Sequence, residues 1–538
     1  MIGMKSTVIF TSALLSISSA FGQNQNISGG VVFDGEPYLA VNPNNSQHMV
    51  VAWMGYVPFQ YAAIKTRVSF NGGQSWSSTA TISHEYTAFG TSGADPSLEF
   101  DNSGNVFLCY IDFNTGIDSG SVSVRKSTDG GLSWGSPAEV INIYSDPGKY
   151  PIDRPWIVID RSGGVNDGNI YVTTMPPSVF GPIPPPYHPY FIRSTDGGVS
   201  FDQWRYMDTT NWLAGSIIPQ PTPFSAISSN GTFHCVYPSW VFSQNINPQF
   251  IFASSDNAGN SFSYNSMALP FNILFGNSID TLAKIGLPLL ADPADANHLA
   301  FFILMVPHGD ADVYMWESFD GGATWADSVR INDDPIGNNR MQDLIWADFD
   351  TDGDLVVSWR DRRNASDSTY TTSSEIWGAV RHKDSTNFYP NFRISDTIVA
   401  YNTVLALSGN DFMCIKLRND TLNAVWGDTR NGKLNIWFQR MSLSGTLLSI
   451  QQLSSEAIPS VEIYPNPFSS QTTIHSGIPI KNATLTVFNS FGQTVKEIKN
   501  INGQTVVLSR DNLPNGLYFL RLTQYGKVIA EDKLVITG

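Results

Sequence analysis

Cysteine is almost absent from the 538 residues. Cys109, Cys235 and Cys414 each lie inside an apolar run ("FLCYI", "FHCVY", "FMCIK"). An odd, widely spaced trio excludes a disulfide framework and a thiolate metal site, so buried, inert thiols are expected. Charge is sparse as well, at 14% of residues, and it leans acidic: 31 Lys and Arg stand against 47 Asp and Glu, a formal charge of −16. Without a basic face the chain cannot neutralise phosphates, which excludes nucleic acid and anionic membranes as partners. Long apolar runs are missing too. "TVIFTSALLSI", behind Lys5, is too short to cross a bilayer, and "SSAFGQ" follows it. The stretch 1–22 therefore reads as a signal peptide cut near Ala20 or Gly22, and no transmembrane segment is expected. No long amphipathic helical pattern occurs. Glycine, proline, β-branched and aromatic residues fill the chain instead, which favours sheet.

The sheet signal is periodic. "VSFNGGQSW", "RKSTDGGLSW", "RSTDGGVSF", "SSDNAGNSF" and "ESFDGGATW" end on Trp76, Trp134, Phe201, Phe262 and Trp325, about one four-stranded unit apart. Two strand-like runs precede each box, as in "DPSLEFD" then "VFLCY". The pair recurs twice more as "QDLIWADF" then "LVVSW" and "TVLALSG" then "LNAVW", which makes seven units. Units that each expose apolar residues stack radially, so the expected fold is all-β: a seven-bladed β-propeller, with six blades as the alternative count. "ISGGVVF" (27–33) is expected to close the last blade. Within a box, the Asp or Asn side chain accepts from backbone N–H groups of the turn, glycine supplies a positive φ, and the final ring is expected to pack beside the next blade.

This box resembles the Asp-box (BNR) repeat of sialidase-like propellers, in which the boxes lie on the outer rim and the site lies on the axis. "YPNPF", "ATLTVFNSFGQTV", "LPNGLYFLRL" and "GKVIAEDKLVI" resemble the type A C-terminal sorting domain of the type IX secretion system of Bacteroidetes, expected as a small β-sandwich. The expected domains are a signal peptide (1–22), the propeller (23–455) and the sorting domain (456–538). The second resemblance implies export through the periplasm to the cell surface or the medium, with the secretion machinery as partner. The first implies a glycoside hydrolase of exo-sialidase type acting on a glycan or glycoprotein. The alternative is a non-catalytic propeller that binds glycan or protein.

Axial sites are built where inner strands begin, which nominates Glu36, Asp95, Asp153 with Arg154, Thr222, Leu287, Asp343 and Asn402. Several acids around one mouth repel unless a cation or a shared proton compensates. The sialidase resemblance implies three arginines gripping a carboxylate, a tyrosine nucleophile and an aspartic acid donor. On that reading Tyr401 stands at the mouth of the last inner strand, Arg154 and Arg340 are candidate arginines, and Asp95 or Asp112 is the donor. Glu36, Asp153, Asp343 and Arg360 are candidate substrate contacts. Glu36 stands where an arginine is expected.

"WRDRRN" and "WGDTRN" align Asp361 with Asp428 and Arg363 with Arg430, a salt-bridged turn that leaves Arg360 and Arg362 free for a ligand. No metal ligand set is assigned. "DFDTDGD" places Asp348, Asp350 and Asp352 at alternate positions, the start of a calcium loop, but Trp359 occupies the place of its final glutamate.

Overall fold

The computed structural model describes residues 24–443 and 462–538, apart from 59–60, 87–89, 115, 117, 178–182, 269–285, 406–408, 490–493 and 525–526. The expected signal peptide lies outside the described residues. The chain divides into two compact units, Met1–Ser449 and Ile450–Gly538.

The first unit is a seven-bladed β-propeller of four-stranded antiparallel sheets; six run from axis to rim in chain order, and the seventh takes its outer strand from the N-terminus. The inner strands are Asp34–Asn42, Thr91–Phe100, Asp153–Ile159, Phe224–Ile227, Leu289–Ala291, Gln342–Phe349 and Cys414–Arg418. Each touches the inner strands of both neighbours, and the seventh meets the first. The second strands read as continuous apolar runs, and "LAFFILM" (Leu299–Met305) is buried at every position. A blade clamped between two others has no solvent face, so alternation is lost.

The ring is closed from the N-terminus, with a shifted register. Gln25–Asn26, rather than 27–33, pairs with Phe438 and Trp437 as the outer strand of blade 7. Gly29 sits at φ +60 with its N–H donating to Asn26 Oδ1 at 2.9 Å, so the chain turns out of the sheet there. Phe33 returns only as an isolated parallel bridge to Leu434.

Each box is a hydrogen-bonded hairpin. Ser127 Oγ donates to Asp129 Oδ1 (2.7 Å) and accepts from Gly131 N–H (2.8 Å), while Ser133 N–H donates to Asp129 Oδ1 (2.9 Å). The bonds repeat at Asp196 and Asp320. Asn71 and Asn257 keep the carbonyl role and turn the other half of the amide into a donor to Ser75 and Ser261 Oγ, each at 2.8 Å.

The final ring packs on the preceding blade, not the next. Trp76 meets Phe438 across the closure, Trp134 Nε1 donates to Thr66 Oγ1 (3.2 Å), and Phe262 meets Phe191. The box turn leans back over that blade, so a Cβ on Gly259 would lie 2.4 Å from the Phe191 ring.

In the second unit, one five-stranded sheet (Glu462–Tyr464, Gln471–Phe488, Thr494–Ser509, Gly516–Gln524, Lys527–Ile536) curls into a half-barrel. The sandwich expected there takes this single-sheet form. Register shifts at four places along the two longest strands let them bend. Its side chains alternate, as in Gly516–Gln524, with Tyr518, Leu520 and Leu522 turned inward.

Candidate functional site

Where the inner strands begin, a cavity of about 210 Å³ opens on the axis. Blades 1, 2 and 3 share one device there. Each inner strand carries a bulge, opposite Trp53, Tyr110 and Thr174, in which a non-glycine residue adopts a left-handed backbone: Glu36 (φ 53), Asp95 (φ 51) and Arg154 (φ 46). A proline follows each one (Pro37, Pro96, Pro155). Such conformations cost on the order of 1–3 kcal/mol each and persist only where the surroundings enforce them. All three side chains line the cavity, joined by Asp153, by Gln220 ahead of blade 4 and by Asp411 ahead of blade 7.

Arg154 is the one arginine among the described residues lining the cavity. Its Nη2 pairs with Asp411 Oδ2 at 2.9 Å, and its N–H donates to Asp95 Oδ2 at 3.1 Å. Burial opposes its charge, but Asp411, Asp153, Asp95 and Glu36 together more than offset that and raise its pKa. Glu36 is 2% exposed. Burial, then the charges of Asp95 and Asp411, hold its carboxyl well above the usual range, and Arg154 offsets only part of this. Its Oε2 has no hydrogen-bond partner among the described residues. Asp153 is raised for the same reasons, burial first and Asp95 next, while Gln220 Nε2 donates to it at 3.1 Å. Asp95 lies close enough to both Glu36 and Asp153 for its charge to disfavour their ionisation. The cavity therefore holds two acids whose ionisation is disfavoured, beside a third carboxyl.

Glu36, Asp95, Asp153 and Arg154 are thus brought together as the sequence suggested. Asp343, Arg360, Arg340 and Tyr401 line other places. Arg360 is buried and grips Asp343 with Nε (2.7 Å) and Nη2 (2.5 Å), and Arg362 reaches the same carboxylate at 3.2 Å. The expectation that Arg360 and Arg362 are free is corrected by this pairing, which antiparallel register imposes by setting Asp343 opposite Arg360. Arg340 lies in the loop before blade 6, its N–H bonded to Asp310 Oδ2 (3.1 Å) and its guanidinium to the Asp367 carbonyl.

Tyr401 does not stand at the mouth of the last inner strand. Residues 403–405 form a 3₁₀ turn, and the inner strand is Cys414–Arg418. Tyr401 borders a shallow hollow with Arg430 and Trp437. The residue that the misplaced strand hid is Asp411. Its signal was the hairpin "CIKLR-ND-TLNAVW", whose turn residues Asn419 and Asp420 take positive φ. Of the other positions nominated at strand starts, Thr222 Oγ1 donates to the Gln220 carbonyl, Leu287 is buried in the core, and Asn402 caps the 3₁₀ turn. Asp112 is buried against His84 Nδ1 and Glu85 N–H, each at 2.5 Å.

The repeated turns hold as expected. Asp361 and Asp428 each accept from the tryptophan two residues earlier and pair with Arg363 and Arg430. The three carboxylates of "DFDTDGD" have separate partners: Asp348 binds Leu417 N–H and Arg418, Asp350 binds the N–H groups of Asn419 and Asp420, and Asp352 pairs with Lys383 at 3.1 Å. Among the described residues no group of three or more His, Cys, Asp or Glu could hold a metal ion.

Residues 462–537 match the secretion system C-terminal sorting domain family. The tail marks the chain for type IX export, to the cell surface or the medium, and engages that machinery. No helix among the described residues is long and apolar enough to cross a membrane. No curated protein sequence matches the chain. Solved structures similar to it include a protein of unknown function from Dyadobacter fermentans (14% identity, TM-score 0.40, 66% of this chain and 98% of that one). A sialidase from Streptococcus pneumoniae (12%, 0.41, 79% and 71%) and an α-L-arabinofuranosidase of Fusarium graminearum (12%, 0.43, 79% and 98%) are others.

Proposed function

We propose that the chain is an exported glycoside hydrolase that takes a neutral sugar into the mouth cavity. The observation that carries this is the cluster of Glu36, Asp95 and Asp153 in one cavity, where burial and neighbouring charge raise Glu36 and Asp153 above the usual carboxyl range. Glycoside hydrolysis needs such a set, one acid to protonate the leaving oxygen and one carboxylate to attack the anomeric carbon or activate water. Asp153, held by Gln220, is assigned as the acid, and the carboxylate role falls to another of the cavity's carboxyls. Arg154, tied to Asp411, fixes the backbone on which Asp95 bonds.

The same arrangement disfavours an acidic sugar. Four carboxyls face one arginine, and that arginine already has an anionic partner. At about 210 Å³ the cavity is below the usual range for small-molecule sites of ~300–1,000 Å³ and has room for about one sugar ring, which points to action at a chain end.

The test is a panel of fluorogenic neutral glycosides, pyranosides and furanosides of both anomers, with a sialoside alongside. Turnover of a neutral glycoside is expected, falling about 10²–10⁴-fold in Asp153→Asn. Binding of sugars without turnover of any panel member would make the chain a non-catalytic glycan-binding propeller instead. Sialoside turnover lost in Tyr401→Phe would overturn the neutral-sugar reading in favour of a tyrosine-dependent exo-sialidase drawing on Arg154 and Arg340.

A further inference from the structure

The axis has a second cavity, larger than the first, at the opposite end of the inner strands. Its volume is about 410 Å³, and all seven blades contribute to its wall. The mouth takes charged residues such as Glu36 and Asp153 from the starts of inner strands, whereas this cavity takes Glu99, Arg161, Asp348 and Arg418 from at or just beyond their ends. An aromatic plug stands in the ring of inner strands, with Trp156, Phe224, Trp346 and Phe412 in mutual contact at ring separations of 4.5 to 6.3 Å. Phe224 and Trp346 present part of that plug to the second cavity, beside Tyr38.

The polar lining differs in kind from the mouth. Three cations, Arg161, Lys416 and Arg418, face two carboxylates, Glu99 and Asp348, in a chain of formal charge −16. Asp101 and Asp350 lie nearby, and Asp350 is occupied by two backbone N–H groups. The cations keep donor capacity. Arg161 bonds Glu99 and the Phe100 carbonyl through Nη1, and Arg418 bonds Asp348 and two carbonyls through Nη1. Neither Nη2 has a hydrogen-bond partner among the described residues. Lys416, its side chain 14% exposed, has one carboxylate within reach of Nζ, Asp348 at 3.5 Å. Independently, Ser225 Oγ lines the cavity buried and without a partner among the described residues. A buried hydroxyl is normally satisfied, and the unpartnered Ser225 Oγ beside these cations marks a place where a ligand supplies the partner.

We infer that this second cavity is a binding site for a sugar carrying one oxyanion, a carboxylate or a sulfate ester. The anionic oxygens meet Lys416 Nζ and the Nη2 edges of Arg161 and Arg418, a hydroxyl meets Ser225, and the ring face rests on Phe224 and Trp346, the stacking that aromatic walls offer an apolar sugar face. Glu99 and Asp348 limit the ligand to a single charge. The two ends of one propeller thus have opposite preferences, a neutral residue at the acidic mouth and an acidic residue at the donor-rich end, as suits a polysaccharide containing both.

Calorimetric titration of the full chain tests this with galacturonic acid, galactose 6-sulfate and galactose as probes. Both acidic sugars binding at least tenfold more tightly than galactose is the expected result, and the stronger of the two identifies the anion. Arg161→Gln and Lys416→Met, checked for unchanged melting temperature, should each weaken binding at least tenfold. Arg161, the more exposed of the pair, serves as the test on its own if Lys416→Met fails to fold. Glu36→Gln, at the other end of the axis, should leave binding unchanged. Equal binding of galactose, no heat with any probe, or an affinity that Arg161→Gln leaves intact would overturn the inference. A loss caused by Glu36→Gln would move the acidic sugar to the mouth.

Discussion

The carboxyls of the rim boxes and those of the mouth cavity behave in opposite ways. On the rim, donors surround an exposed carboxylate. At Asp196 and Asp320 the hydroxyls and N–H groups of Ser200 and Thr324 lead the effect, and the carboxyls are lowered to about 2. Asp129 reaches about 2 as well, where the Ser133 hydroxyl and N–H outweigh a desolvation cost. At the mouth, Glu36 and Asp153 are buried among other acids and are raised. The rim thus builds turns from readily ionised carboxylates, while the hub disfavours ionisation. The difference follows from solvent and neighbours, since aspartates stand in both places, Asp196 on the rim and Asp153 at the mouth.

The strongest way to break that comparison is to show that a rim box affects more than stability. Gly259 sits at φ +75 with the Phe191 ring where a Cβ would be. Gly259→Ala combines left-handed strain with overpacking and should cost about 2–4 kcal/mol in denaturant unfolding. The activity of the remaining folded protein should be unchanged. A fall in specific activity of the folded fraction would show that the rim and hub are coupled.

The hub gives the opposite sign. Because the Glu36 pKa is raised in the folded state above its ordinary 4.5, the unfolded chain releases that proton first. The penalty is absent below pH 4.5 and grows as pH rises toward the folded value, every tenfold of disfavoured ionisation being about 1.4 kcal/mol. Glu36→Gln keeps the side chain's shape without the ionisation, so at pH 7 its melting temperature should exceed that of the parent, with the gap closing near pH 4. A lower melting temperature at pH 7 would show that Glu36 is held ionised.

How much of this was legible follows from how local each feature is. The boxes and the Glu-Pro, Asp-Pro and Arg-Pro starts of blades 1 to 3 lie within a few residues of chain, so their pattern survives in the sequence. Asp411 was hidden because blade 7 was read by analogy with its neighbours, which moved its inner strand onto 403–409, although "CIKLR-ND-TLNAVW" carried the hairpin by itself. Arg360 looked free because its partner Asp343 lies on another strand, and only the register that pairs them reveals the contact. The closing strand slipped because Gly29 and Gly30, which end it, were counted inside it. The direction in which the box rings lean depends on packing between blades, and no single blade's sequence records it.

The smallest effect is expected where the sequence has already run the experiment. Asn71 and Asn257 occupy the Asp position with the same N–H bonds at 2.9 and 3.0 Å, and their Nδ2 groups replace an accepted hydroxyl bond with a donated one. Asp129→Asn should therefore stay within about 0.5 kcal/mol of the parent at pH 7, the range of a tolerated surface change. Its consequence should appear only in acid. A carboxyl lowered to about 2 from its ordinary 3.8 stabilises the fold above pH 3.8, and that contribution is lost as pH falls toward 2. Asn has nothing to titrate, so the acid-unfolding midpoint of the variant should shift to lower pH. An unshifted midpoint would mean that Asp129 keeps an ordinary pKa on the rim, and the contrast with the hub would then rest on the buried acids alone.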